Sequence, residues 1–371
     1  MKLIHDYFKL SVFILGLMLA GFSGAQACQP IGELKTDTEA FLKKGECHEY
    51  FLNAQADSYL EIAAQQKGVD VRLSLLEENT EIKSADSENV NSGYEFVVYI
   101  APKQTRYKVQ IKWLDDNRAF VGNEGFYRLE FETRAGGEAE RLLVKNFETA
   151  AAFYAQATEA RNSGKPANAV GDYLKAAAIY KSAPQSRVFK YRLALTNYYL
   201  GVSYAAARKS DEALAVFQET AALAAAIQDK FLESLSLKEA GMIFYRLGNF
   251  PRSAELLEDA VALLEKLQLE KIGEKPALPE AYLILGEVSF NLGKTERAVS
   301  ALEALRANHK EPADEYLKAS IKLADVYVNL NLWQKAEQVL APLAPPDTAP
   351  AAVKGHFNKV SGKLYMKTDR E

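Results

Sequence analysis

The segment Gly241-Met-Ile-Phe-Tyr-Arg-Leu-Gly-Asn-Phe-Pro-Arg-Ser-Ala-Glu-Leu-Leu257 decides the fold of the second half of the chain. It starts at a small residue in a helical pattern, and an aromatic residue, Phe244, follows on the same side of that helix. Gly248 marks a turn, after which the small Ser253 and the large Leu257 continue the helical spacing. The segment predicts two antiparallel helices that approach closely at the small residues, with the large residue filling the space between neighbouring units.

The same order of residues recurs from residue 146 to the end of the chain. The small starting residues, here called the marker residues, are Ala157, Gly201, Gly241, Gly286, Ala324 and Gly362. The steps between them are 44, 40, 45, 38 and 38 residues. The pattern resembles the tetratricopeptide repeat, whose units of about 34 residues stack because one helix pair cannot bury its apolar face alone. A plain helical bundle is the alternative architecture.

A period of two replaces the helical spacing between residues 46 and 133. Val69, Val71, Leu73 and Leu75 alternate with polar residues, and several later segments alternate in the same way. Turn-forming clusters such as Asn89–Gly93 separate these segments. Six or so short strands at this spacing predict an all-β sandwich of the jelly-roll type.

The chain is therefore predicted to be multidomain, with an N-terminal all-β sandwich followed by an all-α tetratricopeptide-repeat solenoid. We expect a signal peptide in 1–27, the sandwich in 28–140, five extended repeats in 146–350, and a capping helix or a sixth repeat that is cut short in 351–371. The linker at 134–142 contains a Gly pair and few apolar residues. The two domains are expected to fold separately for that reason.

Three segments of the sandwich resemble bacterial pre-peptidase C-terminal-type domains, namely Gly68–Leu76, Gly93–Pro102 and Arg106–Ile111. A sandwich of this type followed by extended repeats is similar to the N-terminal half of bacterial CHAT-domain proteins. In that family a caspase-like peptidase follows the repeats and needs a His and Cys pair. Because no Cys lies beyond Cys47, the peptidase is absent here, and the resemblance implies no catalytic residue.

The first 27 residues have the three-part plan of a secretory signal peptide, with a basic start, an apolar run from Leu10 to Ala20, and small residues ending in Ala25-Gln26-Ala27. The apolar run of 11 residues is shorter than the ~20 residues that span a bilayer. We expect cleavage before Cys28 and a periplasmic or secreted protein with no transmembrane segment in the mature chain.

Export also decides the interpretation of the two cysteines. In an oxidising compartment, Cys28 and Cys47 are expected to form a disulfide that closes a short N-terminal loop. Lipid attachment to Cys28 is the competing possibility and would exclude the disulfide. Ala25 and Gln26 match the lipidation pattern poorly, because that pattern has a larger aliphatic residue three positions before the Cys.

Composition and motifs argue against several classes of function. The formal net charge of −4 on 371 residues is too near balance to predict a nucleic-acid partner. Two Cys and four His leave little material for a His/Cys metal site, and no phosphate-binding glycine loop or nucleophile-elbow motif occurs. We expect a non-enzymatic protein with no catalytic residue, no metal and no cofactor.

Two alternative sites in the sandwich remain open. Oxygen ligands could hold Ca²⁺ if the fold brings together Asp70, Asp86 and Glu95. A carbohydrate or cell-surface ligand could bind aromatic side chains of the sandwich, namely Trp113, Tyr94 and Tyr99.

The concave face of the repeat array is the predicted partner-binding groove. The first helix of each repeat lines this face, and its candidate residues are Tyr198, Lys238, Met242, Tyr245, Arg246, Glu287, Asn291, Asp325 and Asn329. An aromatic surface of mixed charge suits a peptide or protein partner. A carboxylate clamp, a known peptide mode of the family, needs an Asn one turn after a Lys, and Met242 follows Lys238 instead.

The leading hypothesis is an exported scaffold whose solenoid groove binds a peptide or protein. The alternatives are the sensing half of a CHAT-type peptidase system and a carbohydrate-binding or cell-surface-binding module.

Overall fold

The computed structural model describes residues 27–86, 91–115, 123–183, 186–272, 277–308, 314–343 and 349–368. Apart from Ala27, the predicted signal peptide lies outside these ranges. Among the helices in these ranges, none combines the length and apolarity that a bilayer crossing requires.

The N-terminal part is a sandwich of two sheets. Its described strands are β1 (Gln29–Glu33), β2 (Thr38–Lys43), β3 (Cys47–Ala54), β4 (Ser58–Lys67), β5 (Asp70–Glu77), β6 (Thr80–Ala85), β7 (Ser92–Ile100), β8 (Thr105–Leu114) and β9 (Glu124–Ala135). One sheet has the order β1-β3-β8-β5-β6 and the other the order β2-β9-β4-β7. Paired strands are antiparallel, except that β1 runs parallel to β3.

The sandwich core forms because alternate side chains of each strand point between the sheets. Leu60 and Ile62 of β4 meet Val71 and Leu73 of β5 in one buried cluster. The predicted all-β sandwich is confirmed. The period-two pattern did not predict β1 and β2, which lie before residue 46 and expose most of their side chains to solvent.

A disulfide links Cys28 to Cys47, as predicted. Gln29 is paired with His48 in the parallel register of β1 and β3, so the disulfide lies at the start of both strands. The cross-link therefore holds the short, exposed β1 against the edge of its sheet.

The second part is an array of antiparallel helix pairs, which confirms the predicted solenoid. The described helices are α1 (Glu138–Asn162), α2 (Pro166–Ser182), α3 (Arg187–Ala206), α4 (Ser210–Ala226), α5 (Lys230–Arg246), α6 (Phe250–Leu269), α7 (Ala277–Asn291), α8 (Thr295–Asn308), α9 (Asp314–Asn329), α10 (Trp333–Leu340) and α11 (Ala351–Thr368). The odd-numbered helices α1 to α9 are the first helices of five repeats, and α11 follows them.

Marker glycines set how closely the two helices of a repeat approach. A Cβ added to Gly241 would lie 2.8 Å from Cγ of Leu257, and one added to Gly286 would lie 2.6 Å from Cγ of Leu302. The large residue of the pattern thus packs on the marker glycine of its own repeat. The prediction that the large residue fills the space between repeats is therefore wrong: this residue fills the space between the two helices of one repeat.

The turn between the paired helices needs a left-handed residue in each repeat. The residues at this position, with their φ angles, are Gly164 (73°), Arg208 (63°), Gly248 (76°), Gly293 (71°) and Asn331 (60°). Arg208 adopts this conformation without the freedom that glycine has, so its identity does not mark the turn in the sequence.

The joint between the two domains is a buried apolar contact. Tyr191 of α3 packs against Tyr94 and Phe96 of β7, with ring centroids 5.3 and 5.5 Å apart. These side chains are 1%, 3% and 5% exposed and belong to a cluster that extends through α1, α2 and α3. The four-stranded sheet is therefore covered on both faces, by the other sheet and by helices.

The joint places a buried apolar contact between two domains that were expected to fold separately. Only Gly136 and Gly137 separate β9 from α1, and a Cβ on Gly136 would lie 2.4 Å from the carbonyl oxygen of Asp57. The linker is poor in apolar residues, as predicted, but the outer face of the sheet supplies the contact instead. Arg187 of α3 adds an ion pair with Glu130 of β9 at 2.9 Å.

We predict that Gly241→Leu unfolds the array locally. The new side chain would overlap Leu257, and overpacking of a filled core costs about 1–3 kcal/mol. Gly171→Leu on α2 is the control, because nothing lies within 4 Å of a Cβ there. Thermal unfolding followed by circular dichroism should show a lower melting temperature for Gly241→Leu alone; equal melting temperatures for both variants would contradict the packing.

We predict that Tyr191→Ala destabilises both domains together. Truncating this buried ring should cost about 3 kcal/mol. In a Trp333→Phe background, fluorescence reports on Trp113 of the sandwich, while far-ultraviolet circular dichroism reports mainly on the helices. The midpoints of guanidinium unfolding measured by fluorescence and by circular dichroism should both shift to lower guanidinium concentration, by the same amount. A sandwich transition that stays in place while the helical one moves would show that the joint carries no stability. Tyr365→Ala, at a ring that is 67% exposed, is the control.

Candidate functional site

In the C-terminal half of the array, neighbouring first helices are linked by polar side-chain contacts. The Tyr245 hydroxyl of α5 donates to Glu287 of α7 at 2.5 Å, and Lys322 of α9 lies 3.9 Å from the same carboxylate. This hydrogen bond and burial both raise the pKa of Tyr245. These side chains are engaged with each other across the repeats.

Lys238 is a buried part of this face rather than an exposed ligand residue. Its side chain is 5% exposed, and its ammonium donates to Glu280 of α7 at 2.6 Å. Burial alone would lower the pKa of Lys238, but the charges of Glu239 and Glu280 outweigh that effect and raise it. Lys238 therefore stays charged and ties α5 to α7.

Asp325 of α9 makes the equivalent connection to α11. Lys363 donates to its carboxylate at 2.8 Å, and His356 lies 3.6 Å away. Burial alone would raise the pKa of Asp325, but Lys363 and His356 outweigh it and hold the pKa below its ordinary value. Asn329, one turn later, donates to the backbone carbonyl of Asp325 at 2.7 Å.

The other predicted groove residues differ in exposure. Met242 is partly buried, whereas Arg246 and Asn291 are exposed at the ends of their helices. The structure thus brings Tyr245 and Glu287 together, and separately places Asp325 beside Asn329. It does not gather the whole predicted set into one open site.

A cavity of about 390 Å³ lies where the first repeats meet the sandwich. We call it the junction cavity. It is lined by Ser92 of β7, by Arg161 and Asn162 of α1, by Tyr191, Leu195, Tyr198, Tyr199 and Val202 of α3, and by Asp229, Phe231, Leu232, Leu235 and Glu239 in and before α5. Of the predicted groove residues, Tyr198 alone lines it.

Aromatic rings form much of the cavity wall. Tyr198 packs edge to face on Tyr199, with centroids 5.2 Å apart, and tilts toward Phe217 behind it at 5.9 Å. The guanidinium of Arg161 lies 4.2 Å above the ring centroid of Tyr199, within the range of a cation–π contact. Tyr191 reaches the cavity from the joint with the sandwich, so the joint and the cavity share a side chain.

Asp229 places a carboxylate at the cavity wall. It caps α5 by accepting a hydrogen bond from the backbone N–H of Leu232 at 3.0 Å. Its side chain is 8% exposed, and burial raises its pKa to about 6. Glu239 adds a second carboxylate to the lining and lies 3.2 Å from the Lys238 ammonium.

Most residues of this cavity were not predicted from the sequence. The signal available was the density of tyrosines in one first helix, since Tyr191, Tyr198, Tyr199 and Tyr204 all fall within α3. Asp229 was not recognisable, because its place at the wall depends on how α5 stacks against α3.

The predicted calcium site is not formed. Asp70 and Glu95 are 8% and 1% exposed, whereas Asp86 is exposed beyond the end of β6. Within the described part of the chain, no group of three His, Cys, Asp or Glu residues is arranged to hold a metal ion.

The predicted glycan-binding aromatics do not share an open surface. Tyr94 is buried at the joint against Tyr191. Trp113 is 7% exposed, with its indole N–H directed to Asp115 at 3.1 Å, and Tyr99 packs on Tyr107. Three rings in such different surroundings give no flat platform for a sugar.

Comparison with known proteins supports the repeat assignment at one place. Residues 280–311, which cover most of α7 and all of α8, match the family model described as Tetratricopeptide repeat. No curated protein matches the chain.

Solved structures with similar helical arrays come from several sources. A putative kinesin light chain with TPR-like repeats from Podosopora anserina is 19% identical, with 57% of this chain and 94% of that chain covered and a TM-score of 0.42. BtubC (BKLC) from P. vanneervenii is 20% identical, with 58% and 91% covered and a TM-score of 0.44. PilF from Pseudomonas aeruginosa is 15% identical, with 61% and 93% covered and a TM-score of 0.43. At such values the likeness carries no conclusion on function.

We predict that Asp229→Asn stabilises the protein near pH 7 and not near pH 4. The pKa of Asp229 is about 6 in the folded chain and 3.8 for the ordinary carboxyl group. Between pH 3.8 and about pH 6, the folded chain retains a proton on Asp229 that the unfolded chain releases. The free energy of unfolding therefore falls as the pH rises through this range, and it stays lower at higher pH. Asn keeps an oxygen for the cap but never ionises.

The expected gain near pH 7 is about 2 kcal/mol. Urea unfolding of both proteins at the two pH values measures it, with Asp211→Asn, an exposed residue in the first turn of α4, as the control. A loss of stability of equal size at both pH values would contradict the buried, ionisable state of Asp229.

Proposed function

We propose that the chain is an exported protein-interaction scaffold that receives a segment of a partner protein in the junction cavity. The observation that carries this proposal is the cavity itself, a concave space with aromatic walls and with Arg161, Asp229 and Glu239 among its lining residues. Tyr and Arg side chains in concave sites are typical of protein-binding hot spots. The proposed activity is binding rather than catalysis.

The partner segment is proposed to enter along the concave face and to place one apolar or aromatic side chain among Tyr191, Tyr198 and Tyr199. The C-terminal half of the groove serves a different purpose in this proposal. Its cross-repeat contacts, such as Lys238 with Glu280, stiffen the array and hold the cavity open. A preformed cavity lowers the entropic cost of binding, because its walls need not be ordered by the ligand.

Export rests on two independent features. Residues 1–27 have the plan of a signal peptide, and the disulfide between Cys28 and Cys47 is typical of an oxidising compartment. A periplasmic or secreted location is therefore part of the proposal. The resemblance to pre-peptidase C-terminal-type domains and to CHAT-domain proteins stays a hypothesis, as does a role in a peptidase system.

Site-specific photo-cross-linking tests the binding proposal. With p-benzoylphenylalanine at position 198, cells that produce the full chain should yield a defined cross-linked protein. The same probe at position 174, which lies on the outer side of α2 where Leu174 is 46% exposed, should not capture it.

A pair of Trp substitutions, one inside the cavity and one on the outer surface, tests whether the cross-linked partner occupies the cavity. Val202→Trp fills part of the junction cavity and should remove the cross-linked product, whereas Leu174→Trp adds the same side chain on the outer surface and should leave it. We expect a loss of about tenfold or more, in line with blocking a central anchor. A product that persists in Val202→Trp would overturn the assignment of the cavity as the partner site.

A further inference from the structure

Strand β2 forms one edge of the four-stranded sheet. In the order β2-β9-β4-β7, it pairs with β9 alone among the described strands. Its side chains alternate between the two faces of the sheet, so that Leu42 is buried between the sheets while Glu39, Phe41 and Lys43 are exposed on the other face. An edge of this kind accepts a further strand, because one row of its backbone groups has no partner in the sheet.

The register of β2 identifies these unpaired backbone groups. One step beyond the end of β2, the N–H of Lys44 donates to the carbonyl of Asn123 directly opposite, at 2.9 Å. Hydrogen-bonded positions alternate along an antiparallel pair, so the even-numbered residues of β2 bond to β9. Glu39, Phe41 and Lys43 therefore direct their N–H and C=O groups to the free edge.

Glu46 covers one end of this edge. Its carboxylate accepts a hydrogen bond from the N–H of Lys43 at 2.8 Å, and its own N–H donates to the carbonyl of Lys43 at 2.9 Å. Within the described part of the chain, the outward N–H and C=O groups of Glu39 and Phe41 have no such partner. Two donors and two acceptors, on residues two positions apart, are thus available to an added strand.

Phe41 gives the edge an apolar side chain that the fold leaves in solvent. Its ring is 65% exposed and packs edge to face on Phe126 of β9, with centroids 5.7 Å apart. Natural proteins commonly protect exposed edge strands with charged side chains, which discourage further pairing. The ring at the middle of β2 instead favours a partner strand that covers it.

We propose that β2 pairs with β2 of a second copy of this chain, antiparallel and centred on Ala40, so that the two four-stranded sheets join into one continuous sheet. Around this twofold axis, Glu39 of each copy lies opposite Phe41 of the other, and the available donors and acceptors of both edges are used. The two Phe41 rings lie diagonally across the axis, within reach of each other. Because β2 begins at Thr38, each chain turns away where Glu46 covers the edge of the other.

The charges along β2 favour a second copy in this orientation. The segment is acidic at its start, with Asp37 and Glu39, and basic at its end, with Lys43 and Lys44. Antiparallel pairing brings Lys43 of each copy opposite Asp37 of the other, which is a favourable cross-strand pair. Arg128 lies 2.5 Å from Asp37 and 4.0 Å from Glu39, but these acidic side chains are 57% and 53% exposed and stay accessible to a second cation.

Sedimentation equilibrium of the purified mature chain at increasing concentration tests the proposal. The wild type should show a reversible equilibrium between monomer and dimer. Phe41→Lys removes the ring and places two like charges beside the axis, so the dissociation constant should rise by about tenfold or more. Ile31→Lys is the control, since it adds the same charge at an exposed apolar position of β1, an edge strand of the other sheet, and should leave the constant within about twofold. Circular dichroism verifies that both variants fold.

Single added cysteines test the register. In the proposed dimer, Ala40→Cys places two Cα atoms about 4.5 Å apart across the axis, within the range of a disulfide, so mild oxidation should yield a covalent dimer. Thr38→Cys is the control on the same face of β2. Its two copies would lie about 14 Å apart along the strands and should not cross-link.

Three results would overturn the proposal: a monomer over the whole concentration range, a dimer that Phe41→Lys leaves unchanged, or no covalent dimer of Ala40→Cys. The test also covers the other occupant of this edge. A chain that is monomeric when pure, and whose Ala40→Cys variant cross-links in cells to a different protein, would show that a strand of another protein pairs with β2 in place of a second copy.

Discussion

The contact of Tyr191 with Tyr94 and Phe96 is the constraint on which the rest of the molecule depends. It joins the outer face of a β-sheet to the third helix of a repeat array, and all three side chains are buried. Burial of large aromatic side chains is among the strongest stabilising contributions in a protein core. We therefore expect the two domains to unfold as one cooperative unit, although their secondary structure has nothing in common.

The joint also creates the candidate site. Tyr191 contributes to the joint on one side and to the junction cavity on the other, and Ser92 brings the edge of β7 to the cavity wall. Without the sandwich, the first three repeats would present an open concave face. With it, the groove ends in a bounded space. Beyond the cavity, ion pairs and hydrogen bonds link successive first helices to each other.

The repeat register was predictable because glycine at the marker position has a steric cause that is local in sequence. Gly241 and Leu257 lie in one helix pair and are in contact there, although the pattern had predicted that Leu257 would fill the space between repeats. The joint was harder to predict, because its partners are about a hundred residues apart. One signal was present: Phe96, Val97 and Val98 are consecutive apolar residues, which is typical of a strand buried on both faces. The contacts of the predicted groove residues, such as Tyr245 with Glu287, could not be predicted, because they depend on how successive repeats stack.

Native-state hydrogen exchange tests the central claim that the sandwich and the first repeats share one core. Backbone amides of β7 and of α3 should be compared in increasing, sub-denaturing guanidinium. The account predicts that the most protected amides of both segments exchange through the same opening, with the same free energy and the same dependence on denaturant. Amides of β7 that stay protected while those of α3 exchange through a separate, lower-energy opening would contradict it.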